Sequence, residues 1–181
     1  MKKALFLLAA TATLTAPAAL ANDVSFRFSD DVAGLSFNAN SPDGKASVEI
    51  GANHNEDDDV EIYNAGFYAN GKRGRLQGRV GVKGFYADLD GVEGPGLAFG
   101  IDLKVPTSDV FSLVASYFYG PSSTSFDDMD GYRDWKIGAQ LMLFENSALE
   151  FGLSDIEVQI EDVRGDYDFQ DGAYVELKLL F

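Results

Sequence analysis

Arg75-Leu76-Gln77-Gly78-Arg79-Val80-Gly81-Val82-Lys83-Gly84-Phe85-Tyr86, followed after an acidic interval by Gly96-Leu97-Ala98-Phe99-Gly100-Ile101-Asp102-Leu103-Lys104-Val105-Pro106, decides the fold. In the first arm Leu76, Val80, Val82 and Tyr86 share one phase, and Arg75, Gln77, Arg79 and Lys83 share the other. The second arm alternates more strictly. Leu97, Phe99, Ile101, Leu103 and Val105 fall together, opposite Ala98, Gly100, Asp102 and Lys104. Side chains of a strand alternate faces with period two, so each arm is apolar on one side and small or charged on the other. Either arm is long enough to cross a bilayer when tilted, which takes roughly 9–11 residues. The pattern predicts a membrane-spanning β-hairpin.

Upstream, residues 1–21 read as a cleavable secretory signal: Lys2 and Lys3, an apolar run from Leu5 to Ala10, and the small-x-small site Ala19-Leu20-Ala21. Residues 22–181 then form one domain by length. Cleavage removes two of the 14 basic residues and none of the 29 acidic ones, so the mature chain is more acidic than the full chain's −15. Such a chain lacks the basic surface that phosphate contacts need, which argues against nucleic acid. It has no cysteine, and this excludes disulfides, thiolate chemistry and cysteine-held zinc. After the signal, no apolar run approaches the length of a transmembrane helix.

Strand-like alternation recurs at roughly 23–30, 34–40, 45–53, 60–70, 75–87, 96–106, 110–120, 132–144, 148–161 and 173–181. This predicts an all-β, antiparallel up-and-down transmembrane β-barrel of ten strands, with eight as the alternative. In the ninth segment Leu149, Phe151 and Leu153 keep one phase while Ile156, Val158 and Ile160 take the other, so a β-bulge near Ser154-Asp155 is expected. Short turns (41–44, 70–74, 107–109, 145–147) alternate with longer acidic connections (53–59, 88–95, 121–131, 162–172), although 31–33 is short where a long loop is due. Short periplasmic turns and long extracellular loops are the pattern of outer-membrane barrels.

Volume decides which face points inward. A narrow barrel has no room for Leu97, Phe99, Ile101, Leu103 and Val105 multiplied around its axis, whereas Gly, Ala, Ser and scattered charges fit. The lumen is therefore expected to be narrow or plugged and lined by Glu49, Arg75, Gln77, Arg79, Lys83, Asp102, Lys104, Asp134, Lys136, Gln140, Glu150, Glu176 and Lys178. Arg75, Arg79 and Lys83 on one strand also suggest a thin anion path. Tyr63, Tyr86, Tyr117, Tyr119 and Trp135 sit near the loop ends of their strands, as an aromatic girdle requires. The last strand places Ala173, Val175, Leu177, Leu179 and Phe181 on one face. Phe181 resembles the terminal recognition residue of outer-membrane proteins, which implies insertion by the barrel-assembly machinery.

Gly81-Val82-Lys83-Gly84-Phe85-Tyr86, Ser116-Tyr117-Phe118-Tyr119-Gly120-Pro121-Ser122-Ser123 and Asp171-Gly172-Ala173-Tyr174-Val175-Glu176 together resemble the YfaZ-type family of small outer-membrane barrels. The resemblance implies fold and location and carries no catalytic residue. The chain departs from the family pattern in its greater acidity and its first two strands.

Chemistry is sparse. The single histidine, His54, lies in Asn53-His54-Asn55-Glu56-Asp57-Asp58-Asp59 beside acids, the one place for a rim hydrolase. No nucleophile motif, zinc-protease motif or phosphate loop accompanies it, so no catalytic residue is assigned. More than half of the 29 acids fall on the predicted outer side. Glu56, Asp57, Asp58 and Asp59, with Asp127, Asp128 and Asp130, form the densest groups, with oxygen ligands suited to loosely held Ca²⁺ or Mg²⁺. Neither group has EF-hand spacing, and plain solvation is the weightier reading. The sequence thus predicts a monomeric outer-membrane barrel without a resident cofactor. It would meet the bilayer and lipopolysaccharide and play a structural or interaction role through acidic loops. A narrow porin-like channel is the alternative, and a rim hydrolase the least favoured.

Overall fold

The computed structural model describes residues 22–89, 91–160 and 166–181. The proposed signal at 1–21 lies outside them. Ten strands follow in chain order: β1 Asp23–Phe28, β2 Val32–Asn40, β3 Ala46–Asn55, β4 Val60–Arg73, β5 Leu76–Leu89, β6 Val92–Pro106, β7 Phe111–Gly120, β8 Met129–Phe144, β9 Ser147–Ile160 and β10 Asp166–Leu180. Each pairs antiparallel with its neighbours in sequence, and β1 closes the ring on β10. The eight-strand alternative is thereby set aside. Closure removes the free sheet edges that a hydrocarbon solvent could not satisfy, apart from one stretch beside β1.

The anticipated phases hold on the outer wall. Phe67, Val80, Leu97, Phe99, Ile101, Leu113, Ile137, Leu153 and Val175 all face outward and are exposed. So broad an apolar belt is the mark of a lipid-facing surface.

The turn end is built from local chemistry. In the β2–β3 turn the Asp43 carboxylate accepts hydrogen bonds from the Ser41 hydroxyl (2.7 Å) and the Lys45 amide (3.1 Å), while Gly44 takes a positive φ of 67°. These bonds hold Asp43 below the usual carboxylate range.

Three expectations at the loop end need correction. First, most of the long loop expected at 88–95 is strand: β5 runs to Leu89, which pairs with Val92 at the start of β6. Pro95 is accommodated because its carbonyl accepts from the Phe126 amide on the side away from β5. The donor it lacks therefore removes no β5–β6 rung. Second, β10 begins at Asp166, so most of the expected 162–172 loop is also strand. Third, β9 runs through Ser154-Asp155 without a bulge; register shifts occur instead in β8 (Met129/Gly131 and Met142/Phe144) and β10 (Asp168/Gln170). Ile156 and Val158 consequently point inward and are buried, because the interior at that height is apolar.

The wall has one seam. β1 is short, so β10 residues 166–174 rise past its last paired residue, Phe28. Two side-chain bonds bridge that gap. The Asn55 amide donates to the Phe169 carbonyl (2.9 Å), and the Tyr167 hydroxyl donates to Asp58 (2.6 Å).

Candidate functional site: the barrel lumen

The inward face is small in places because it is large in others. Tyr68, Phe85, Phe118, Tyr132 and Tyr174 project into the lumen and are almost wholly buried. Glycines on facing or adjacent positions make room for most of them. A Cβ at Gly96 would enter the Phe85 ring, one at Gly100 would lie 2.5 Å from Phe118 Cδ1, and one at Gly138 would lie 2.8 Å from the Tyr174 hydroxyl. Phe85 and Tyr132 stack with centroids 4.4 Å apart, and Tyr68 meets Phe118 edge-on at 6.0 Å. Toward the loop end, Ile62, Ala87, Leu89, Val158 and Phe169 complete an apolar plug. Packing of this density narrows the lumen at that height.

Below the plug, the lumen opens toward the short turns as a vestibule of about 550 Å³. Its walls carry charge in pairs. Arg79 reaches both Glu49 and Asp102 at 2.6 Å and lies over the Tyr68 ring at 4.2 Å. Lys83 bonds Asp134 at 2.5 Å across the lumen, and Tyr132 donates to the same carboxylate at 3.2 Å. Around Tyr174, Glu150 meets Lys136 (2.8 Å) and Lys178 (2.9 Å), while Glu176 meets Arg27 (2.9 Å) and Lys178 (3.1 Å). The Tyr174 hydroxyl donates to Glu150 at 2.9 Å. Charges withdrawn from water persist when each finds a partner and a hydrogen bond, and these pairs meet that need.

Of the residues expected to line the lumen, Glu49, Gln77, Arg79, Lys83, Asp102, Lys104, Asp134, Lys136, Gln140, Glu150, Glu176 and Lys178 stand on the vestibule wall. Arg75 does not: it precedes β5 in the exposed β4–β5 turn. The basic file read along Arg75, Arg79 and Lys83 is therefore no continuous path, since Arg75 lies outside and carboxylates neutralise the other two. Asp23 and Arg27 of β1 join the wall without having been singled out. Their signal was present in the alternation Asp23, Ser25, Arg27, but the strand was too short to weigh.

The remaining candidates face elsewhere. Tyr63 pairs with Tyr86, and Tyr117 with Trp135, on the outer wall toward the loop end. The Tyr63 hydroxyl donates to Glu61 and that of Tyr86 to Glu93. His54 alternates with lumen-facing Asn53 and Asn55, so it lies on the outer face, its Nδ1 3.7 Å from Glu61. The acidic groups stay apart. Asp57 and Asp58 donate their amides to Asn55 Oδ1, and Asp59 and Asp127 take positive φ at their turns. Among the described residues, no three carboxylates or histidines gather into a metal-binding arrangement around Glu56, Asp57, Asp58, Asp59, Asp127, Asp128 or Asp130. Partial desolvation and the nearby Asp57, Asp30 and Asp58 push the Asp31 carboxyl above its ordinary range. Phe181 is exposed, and its amide donates to the Asn22 carbonyl at 2.9 Å.

The barrel is similar in fold to solved porins. KdgM porin superposes with a TM-score of 0.52 at 7% identity, covering 88% of this chain and 98% of that one. The same porin in complex with disordered oligogalacturonate gives 0.50 at 6% identity, with the same coverage. NanC porin gives 0.49 at 10% identity, again over 88% and 98%. Likeness at such low identity speaks to the fold. No curated protein sequence matches the chain. The family profile described as YfaZ precursor matches residues 1–181, and the chain belongs to the YfaZ family.

Proposed function

We propose that this protein is a resident outer-membrane barrel, closed to through-flow in its resting conformation, whose role is structural or interactive. It would pass through the periplasm under the signal at 1–21 and be inserted by the barrel-assembly machinery, with Phe181 as the recognition residue. One observation carries the reading: the Phe85–Tyr132 stack and the apolar residues beyond it fill the outer half of the lumen. A diffusion pore needs a continuous wet path, and the crowding by these side chains speaks against one. The acidic rim at residues 56–59 and 127–130 is the surface offered to the outside. There it would meet lipopolysaccharide phosphates through shared divalent cations.

Single-channel recording of the refolded mature protein in a planar bilayer tests this. A silent bilayer, with insertion confirmed by heat-modifiable mobility on gels, is expected. Discrete, reproducible conductance steps from the unaltered protein would overturn it. They would favour a second reading, a narrow porin-like channel gated by the plug, for which the KdgM-like fold and the charged vestibule speak. Thermal midpoints in lipopolysaccharide bilayers, with and without chelator, test the rim separately. No shift on removing divalent cations would leave the acidic loops as solvated charge.

A further inference from the structure

The vestibule differs electrostatically from the rest of the molecule. The full chain carries −15, yet seven basic side chains line this chamber against six acidic ones. Most are neutralised in pairs. Lys104, Lys72 and Asp23 are the exceptions: among the described residues none of the three has an ion-pair partner, and Asp23 accepts instead from the Asn38 amide (2.9 Å).

A further unmet group lies two strands away from Lys104. Gln140 is only 5% exposed, stands on the same wall, and leaves its Oε1 buried without a partner. Such an orphan is rare in native interiors and costly to keep. The strand register connects the two residues. Lys104 lies opposite Val114, Val114 opposite Gly138, and Gln140 opposite Ser112. The wall between ammonium and amide is therefore the uncharged stretch of β7 that carries Val114 and Ser112. The chamber's mouth adds neutral hydrogen-bonding groups at Ser36, Asn38, Ser47, Asn70 and Gln77.

We propose that the vestibule binds a small hydroxylated carboxylate, its carboxylate held by Lys104 and a hydroxyl by the Gln140 amide. A carboxylate satisfies the unpaired Lys104 ammonium by a charge-assisted bond. A hydroxyl both donates and accepts, so it suits an amide whichever way that amide turns. The volume of about 550 Å³ falls within the ordinary range for small-molecule sites. The site opens toward the short turns, so it is filled from the periplasmic side and needs no passage through the plug. It stands whether or not the barrel conducts.

Isothermal titration of the refolded mature barrel in detergent micelles tests this with three probes: gluconate, acetate and glucitol. Gluconate carries both charge and hydroxyls, acetate the charge alone, and glucitol the hydroxyls alone. Gluconate is expected to bind at least tenfold tighter than either, for one added charge-assisted or neutral hydrogen bond is worth about that factor. Lys104→Met is expected to weaken gluconate by about tenfold or more and Lys104→Arg to retain it, while Gln140→Leu brings gluconate toward acetate. Arg75→Met, outside the chamber, leaves binding unchanged. Each variant is first shown to be folded by heat-modifiable mobility. Absence of gluconate binding, equal affinity for all three probes, or full affinity in folded Lys104→Met would each overturn the proposal. Because the readout is binding in micelles, its failure is distinct from any conductance result.

Discussion

Phe85 of β5 and Tyr132 of β8 stack across the lumen, centroids 4.4 Å apart and planes at 20°, although β6 and β7 lie between them in the wall. Directly beneath this stack, Lys83 reaches Asp134 at 2.5 Å between the same two strands. Two contacts, one apolar and one ionic, thus tie opposite arcs of the barrel together. They also mark the floor of the plug and the ceiling of the vestibule.

Removing one ring from the stack should loosen the plug. Phe85→Ala is expected to cost about 3–5 kcal/mol, as large aromatic deletions in packed interiors do. Urea unfolding of the lipid-inserted protein measures that loss. Planar-bilayer recording of the same variant should show current where the unaltered protein is silent. A silent, stable variant would mean that the outer residues Ile62, Leu89 and Val158 close the lumen without it.

The Phe85 ring occupies the space above Gly96, its direct partner in β6. The three atoms nearest a Cβ at Gly96 all belong to that ring. Gly96→Ala should therefore destabilise by about 1–3 kcal/mol through overpacking. Combining it with Phe85→Leu should give a smaller loss than the sum of the two single changes. Strict additivity in the cycle would show that the glycine serves another purpose.

Breaking the Lys83–Asp134 pair on one side leaves a buried charge alone. Lys83→Met is expected to cost about 3–5 kcal/mol, and the double variant Lys83→Met/Asp134→Leu to recover much of it. Chemical unfolding of the three variants checks the order. If the double variant is the worst, the pair is worth more than its desolvation.

The seam beside β10 depends on side chains where backbone rungs are missing. Asn55→Leu removes the donor to the Phe169 carbonyl and should cost about 1–3 kcal/mol. Amide exchange in upper β10 should accelerate, with lower β10, paired to β1, unchanged.

Acid should act on the β2–β3 turn. The Asp43 pKa is depressed below its ordinary value of 3.8 by the Ser41 hydroxyl and the Lys45 amide. A depressed folded-state pKa gives stability that is present above the unfolded value and lost as pH falls through the folded one. Asp43→Asn should thus lower the thermal midpoint at neutral pH, and the difference should vanish in strong acid. A difference independent of pH would assign the effect to turn geometry.

Period-two alternation is a local property of the chain, and the sequence by itself therefore determined the antiparallel order and the lipid face, while it left ten and eight strands both open. Leu97, Phe99, Ile101, Leu103 and Val105 needed no neighbour to declare their side. The same phase placed Arg79, Lys83, Asp102, Asp134 and Glu176 inward. Closure of the ring decided the rest. Only it brings β5 against β8, so only it shows that Phe85 finds Tyr132 and that Lys83 finds Asp134. The out-of-phase Ile156 and Val158 suggested a bulge toward lipid, whereas they fill an apolar upper lumen made by residues from several distant strands. Inward aromatics and their glycines are separated by many residues along the chain. A linear pattern records each member, and the curvature of the wall sets which two meet.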